Sequence, residues 1–164
     1  MHRVVVAGPL AAGRELKLAE EEAHHLRVRR AQAGDPVEAL DGQGGVGSGT
    51  LVVRGREWLV AIERIASVPR PPGLVLMVGA GDRDRFAWLV EKAVELGVTD
   101  LVPLATERSA QVATRIREGQ RDRLERRAIE ALKQCGGAWV LSIHDIGPLD
   151  EALARNWEFV TESR

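Results

Sequence analysis

Through residue 67 the apolar positions come in short runs separated by glycine-rich turns. Arg3-Val4-Val5-Val6-Ala7 and Val37-Glu38-Ala39-Leu40 read as strands. Thr50-Leu51-Val52-Val53 and Trp58-Leu59-Val60-Ala61-Ile62 flank Arg54-Gly55-Arg56-Glu57, the pattern of a hairpin. Asp41-Gly42 opens a turn, and the glycines at 42, 44, 45, 47 and 49 favour tight reversals. Glu20 to Arg30 predicts a short helix, closed by Ala33-Gly34-Asp35. A small β-barrel with one helix satisfies this pattern.

Val68-Pro69-Arg70-Pro71-Pro72-Gly73 interrupts it, because three prolines so close together fit neither a central strand nor a helix interior. The division expected is therefore 1–67, a stiff linker over 68–73, and a second domain over 74–164. Beyond the linker the rhythm becomes strand–helix alternation. Leu74 to Val78 is a continuous apolar run, as in a parallel strand buried on both faces. Phe86, Leu89, Val90, Ala93 and Val94 then recur at helical spacing, with Asp82 or Asp84 to cap the start and Gly97 to close the end. Leu101 to Leu104 is the next strand. A helix over Glu118 to Gln134 follows, its inner stripe Leu124, Ala128, Ala131, Leu132 and Cys135, with Arg121, Arg123, Arg126 and Arg127 mostly outside as a solvated face. Val140 to Ile143, a short helix over Leu149 to Arg155 and a strand over Glu158 to Thr161 complete a βαβαβαβ order, hence a parallel sheet.

Composition narrows the function classes little. The 164 residues are 45% hydrophobic and 29% charged, ordinary values for a globular protein, and the net charge of −1 advertises no wholesale nucleic-acid binding. The single cysteine, Cys135, excludes an internal disulfide and fits a reducing, cytoplasmic setting. No window approaches the ~20 apolar residues that span a bilayer. Gly79-Ala80-Gly81 follows a strand, yet the third glycine of a dinucleotide fingerprint falls on Asp84. His24 and His25 are adjacent and diverge on a helix, and Cys135 and His144 bring no further ligands, so no metal is expected.

Several motifs stand in register with one known family. Glu91-Lys92-Ala93-Val94-Glu95-Leu96-Gly97-Val98, then Leu101-Val102-Pro103-Leu104 and Thr106-Glu107-Arg108-Ser109, resemble the QKATELGV…P…ERS segment of the RsmE-type family, bacterial 16S rRNA uracil-N3 methyltransferases. Glu130-Ala131-Leu132-Lys133-Gln134-Cys135-Gly136 and Pro148-Leu149-Asp150-Glu151-Ala152-Leu153 are similar to the segments that follow. His24-His25-Leu26-Arg27-Val28-Arg29-Arg30 with Gly34-Asp35 is similar to the family's HHL…VLR…GD. Arg29, Gly137 and Leu141 stand where the family has leucine, arginine and proline.

The resemblance implies an α+β chain of two domains. A PUA-like, RNA-binding β-barrel precedes the front part of an α/β parallel-sheet SPOUT (α/β-knot) domain. It implies methyl transfer from S-adenosylmethionine to N3 of one uracil in 16S rRNA, on the small ribosomal subunit, by a homodimer. N3 lies on the Watson–Crick edge and carries a proton, so the base must be unpaired and the proton lost. For RNA contact the sequence nominates Arg3, His25, Arg27 and Arg30, and for the substrate side of the second domain Lys92, Arg108 and Gln134. Thr161 and Glu162 follow the last strand and are the weak candidates for the cofactor; no residue is nominated as catalytic base. The family's Gly-Pro-Glu-Gly-Gly loop and the later knot stretch have no counterpart up to Arg164, so the cofactor site is expected to be missing and a further 60 to 90 residues or so are expected in the gene. Two other readings stay open: a shorter RNA-binding protein without catalysis, and a small-molecule-binding α/β protein using Gly79 to Gly81.

Overall fold

In the computed structural model, which describes residues 1–109 and 120–157, the chain divides into two units, Met1–Arg70 and Pro71–Arg164. The first holds β1 (His2–Val5), β2 (Glu15–Lys17), α1 (Glu20–Val28), β3 (Pro36–Leu40), β4 (Gly45–Arg54) and β5 (Glu57–Ser67). Their sheet order is β1-β3-β4-β5-β2, with β1 parallel to β3 and the remaining pairs antiparallel. Alternation along the strands sends Val4, Val37, Ala39, Leu51, Val60 and Ile62 to one core, where Leu26 of α1 joins them. β2 was not legible: three residues with Leu16 alone turned partly inward are too short to show a period.

The glycine-rich stretch reads differently from expectation. Gly42 and Gly44 do reverse the chain with positive φ, but Gly45, Gly47 and Gly49 lie inside β4, a strand of 10 residues. Glycine is needed there for close approach. A Cβ at Gly49 would run into the carbonyl oxygen of Ala61 on β5, beside the register shift at Ser48/Gly49, and one at Gly47 would meet Ile62 at 3.0 Å.

The second unit runs β6 (Val75–Gly79), α2 (Arg83–Glu95), β7 (Asp100–Leu104), a 3-10 turn (Glu107–Ser109), α3 (Arg121–Cys135), β8 (Ser142–Ile143) and α4 (Leu149–Ala154). The three strands are parallel in the order β6-β7-β8. The central place therefore falls to β7, whose last four residues are buried, while β6, expected to be covered on both faces, is half-buried at the edge of the described sheet. Val102, Leu104, Val75 and Met77 pack with Ala152 of α4 and Trp157. Alternation turns Leu101 and Pro103 to the opposite face of the sheet. α2 buries Phe86, Val90, Ala93 and Val94, and α3 buries Leu124, Ala128, Ala131 and Leu132. Cys135 does not belong to that stripe. It is the last residue of α3 and is exposed, with no described element over it, whereas Lys133 is buried and pairs with Glu130 at 2.6 Å. β8 is two residues rather than four, and the strand expected over 158–161 lies outside the described residues.

Candidate functional site

In the first unit three of the four nominated residues gather at the end of α1. His25 and Arg27 occupy its last turn, and Arg30 follows the C-cap Arg29. Basic side chains suit this position because the unpaired carbonyls of a helix end carry partial negative charge. The Arg30 N–H donates to the Arg27 carbonyl (2.9 Å) and the Ala31 N–H to the Leu26 carbonyl (3.0 Å), which closes the helix with Arg30 in the left-handed region at φ 56. Glycine is the usual residue there. The side chains of His24, His25, Arg29 and Arg30 make no hydrogen bond or ion pair among the described residues, and Arg27 pairs with Glu20. Arg3 stands apart from this cluster. It alternates with buried Val4 on β1 and its Nε donates to Glu38 (2.7 Å), its partner in the β1–β3 register.

In the second unit the three nominated residues are spread along the helices. α2 starts at the carboxyl end of β6 and runs back, so Lys92 lies about 14 Å along it, at ~1.5 Å per residue from Arg83. Its Nζ pairs with Glu95 (2.8 Å) and Glu91 (3.4 Å), and the hydrogen bond to Glu95, more than any other influence, raises its pKa and keeps it charged. Gln134 is exposed near the end of α3, which likewise returns toward the amino ends of the strands. Arg108 sits at the other end of the sheet, in the 3-10 turn after β7; its side chain lies outside the described atoms. Open α/β sheets bind ligands at the carboxyl end, where Arg108 is.

The turns at that end are engaged with one another. The Ala80 N–H donates to the Leu104 carbonyl (2.9 Å) and the Ala105 N–H to the Gly147 carbonyl (2.8 Å). Thr106 Oγ1 and Ser109 Oγ share a hydrogen bond of 2.9 Å, and the Thr106 N–H also donates to Ser109 Oγ (3.0 Å). With these polar groups already satisfied, the described residues at this end do not form a donor set that fits S-adenosylmethionine. Thr161 and Glu162 lie outside the described residues. Among the described residues no group of three or more His, Cys, Asp or Glu stands together as a metal would need, and no helix is long and apolar enough to cross a membrane.

One feature went unread in the sequence. Trp88 on α2 faces Arg123, Arg126 and Arg127 on α3 across a groove of about 430 Å³. The signal was present as an arginine run one helix away from an apolar residue off the buried stripe, but its meaning depends on how the two helices pack.

Residues 69–161 match the RNA methyltransferase domain family, and residues 18–63 match the RNA methyltransferase PUA domain. Ribosomal RNA small subunit methyltransferase E of Synechocystis sp. is 29% identical over 143 residues, which are 85% of this chain and 46% of that protein. A predicted RNA methyltransferase from Thermotoga maritima has a crystal structure that aligns with TM-score 0.73 and 30% identity, over 88% of this chain and 65% of the other. Ribosomal RNA small subunit methyltransferase E from Neisseria gonorrhoeae, solved bound to S-adenosyl methionine, aligns with TM-score 0.78 over 96% of this chain and 66% of its own; at 24% identity it speaks for the fold. The chain thus spans about half the length of the curated relative and somewhat less than two thirds of these structures.

Proposed function

The chain belongs to the RNA methyltransferase family, with that family's PUA domain ahead of the methyltransferase domain, and from that premise we propose that the protein methylates N3 of one uracil in 16S rRNA with S-adenosylmethionine as donor. The observation that carries this reading is the tandem of the two domains in one chain, 18–63 and 69–161. A PUA domain of the RNA methyltransferase type ahead of the methyltransferase domain favours RNA over a small molecule as the methyl acceptor. In the proposal the first domain grips rRNA through Arg3, His25, Arg27 and Arg30. Support comes from the side chains of His25 and Arg30 beside Arg27, which have no partner among the described residues, since guanidinium groups are well suited to phosphate. The second domain receives the uracil at the carboxyl end of its sheet, near Arg108; Lys92 and Gln134, nominated for the same substrate side, lie toward the other end of the sheet and are not assigned to the uracil. The protein acts in the cytoplasm on the small ribosomal subunit, as a homodimer.

The decisive experiment is genetic and chemical together. A methyl on N3 blocks the Watson–Crick edge, so it stops reverse transcription at one position. Deleting the gene should remove one such stop from 16S rRNA, and complementation should restore it, weakly or not at all with Arg108→Ala. A full set of N3-methyl stops in the deletion strain would refute the assignment.

A further inference from the structure

We propose that the groove between α2 and α3 is a second RNA-contacting surface, which takes an unpaired strand by stacking a base on Trp88 and holding its phosphates on Arg123 and Arg127. The inference rests on the reading of the protein as an RNA enzyme, but it concerns side chains of α2 and α3 rather than α1 or the turns that follow the strands. Trp88 is 59% exposed, and its indole makes no hydrogen bond or ring contact among the described residues. A lone exposed apolar side chain is ordinary on a protein surface. Trp88 differs in lying in a concavity whose opposite wall carries Arg123, Arg126 and Arg127, with Asp84 and Glu130 as the acids lining it.

The chemistry of that wall favours a polyanion with exposed π-faces. Arg123 and Arg127 are four apart on α3, hence one turn apart on the same face, and each offers a planar fork that matches phosphate oxygens. Their present partners leave both open to a phosphate. Arg123 reaches Asp84 only at 3.5 Å, from an aspartate side chain 86% exposed, and Arg127, itself about half exposed, pairs with the half-buried Glu91. An exposed pair such as Arg123–Asp84 contributes little to stability, so a phosphate can displace that carboxylate without disturbing the fold, while Arg127 can turn its exposed guanidinium edge to a second phosphate. The indole decides between single and double strands. Duplex bases are already stacked on one another, whereas an unpaired base has a free face to lay on an aromatic ring. An rRNA segment opened to expose a Watson–Crick edge has unpaired flanks of this kind.

The test uses the full 164-residue chain and an unstructured 12-nucleotide RNA, with tryptophan fluorescence and filter binding as readouts. Quenching is expected on titration. Trp88→Ala should weaken binding at least about fivefold and Trp88→Phe should retain most of it, because stacking on an aromatic ring carries the effect. Arg123→Gln with Arg127→Gln should make the salt dependence shallower by about 1.4 in log–log slope, two phosphates at ~0.7 each for a single strand. A duplex of the same sequence should be insensitive to Trp88→Ala. If the wild-type chain binds RNA and all these variants match it, the groove inference fails while the RNA reading stands. If the Trp88→Ala change instead alters sedimentation and leaves RNA affinity untouched, the groove is a contact between copies of the chain and the inference is overturned. Absence of binding to any RNA, 16S fragments included, would bring down both readings together.

Discussion

Arg30 and Gly97 hold the same position at the ends of two different helices. Each lies one residue past its C-cap in the left-handed region, Arg30 at φ 56 after α1 and Gly97 at φ 77 after α2. Each closes the same pair of hydrogen bonds: Arg30 to Arg27 and Ala31 to Leu26 in one case, Gly97 to Val94 and Val98 to Ala93 in the other. Glycine adopts this conformation without penalty, and a residue with a Cβ does not. α1 therefore carries a conformational cost that α2 avoids, and it carries it at an exposed arginine. Gly97→Ala should lower stability by about 1 kcal/mol, and Arg30→Gly should raise it by about 0.5–1 kcal/mol. Chemical denaturation of the two variants checks both signs; a stability loss in Arg30→Gly would mean the side chain is held by packing after all.

Gly49→Ala should be among the more damaging single-methyl changes in the first unit. The added carbon meets the Ala61 carbonyl oxygen and then Ala61 C at 2.8 Å, which are backbone atoms of the paired strand and move only if the β4–β5 ladder moves. Overpacking of this kind costs about 1–3 kcal/mol. Thermal unfolding of Gly49→Ala should show the loss, while an alanine at Gly81, where a Cβ would meet nothing within 4 Å, should be nearly silent.

Much of this could be read from the sequence, and the failures share a cause. The helix over Arg83–Glu95, its Asp82 cap and its Gly97 stop were legible because each is a local signal. The motif at Thr106 to Ser109 placed Arg108 beyond a parallel strand for the same reason. The glycines at 45, 47 and 49 were misread because their reason lies across the sheet, in Ala61 and Ile62. Likewise Lys92, Gln134 and Arg108 share a family motif pattern without sharing an end of the sheet, and Trp88 meets Arg123 only through helix packing.

Asp82 gives a pH prediction. Its carboxylate accepts the backbone N–H groups of Arg85 (3.2 Å) and Asp84 (3.1 Å), and those bonds, Arg85 first, hold its pKa below the ordinary 3.8. A carboxyl depressed in the folded state stabilises the fold above its unfolded pKa, and that contribution fades as pH falls through the lower folded value. The loss therefore belongs to the window below about pH 4. Asp82→Asn keeps an acceptor for the cap but removes the titration, so the acid limb of its stability profile should be flatter than wild type. Urea midpoints from pH 2 to 6 would show it; parallel profiles would assign the acid sensitivity to Asp35 and Glu57, whose pKa values are also lowered.

The strongest demand on the RNA reading falls on the end of α1. Arg27 and Arg30 are exposed; among the described residues Arg30 has no side-chain partner, and Arg27 has Glu20, a carboxylate 80% exposed. Losing such a surface pair costs at most about 1 kcal/mol, so Arg27→Ala with Arg30→Ala should fold normally. If the two guanidinium groups sit on phosphates of a 16S rRNA hairpin, their removal retains two counterions that binding would otherwise release. The log–log salt slope should then become shallower by about 1.4–1.8, and affinity at low salt should fall by more than affinity at high salt. Arg29→Ala, at the neighbouring C-cap, tells position from mere charge. It removes the same charge from the same helix end, and a slope change equal to that per residue in the double variant would mean that α1 attracts RNA only as a diffuse cationic field. A smaller change at Arg29 than per residue in the double variant is the expected result, because Arg29 stands at the C-cap and Arg30 one residue beyond it, in the left-handed turn that leaves the helix.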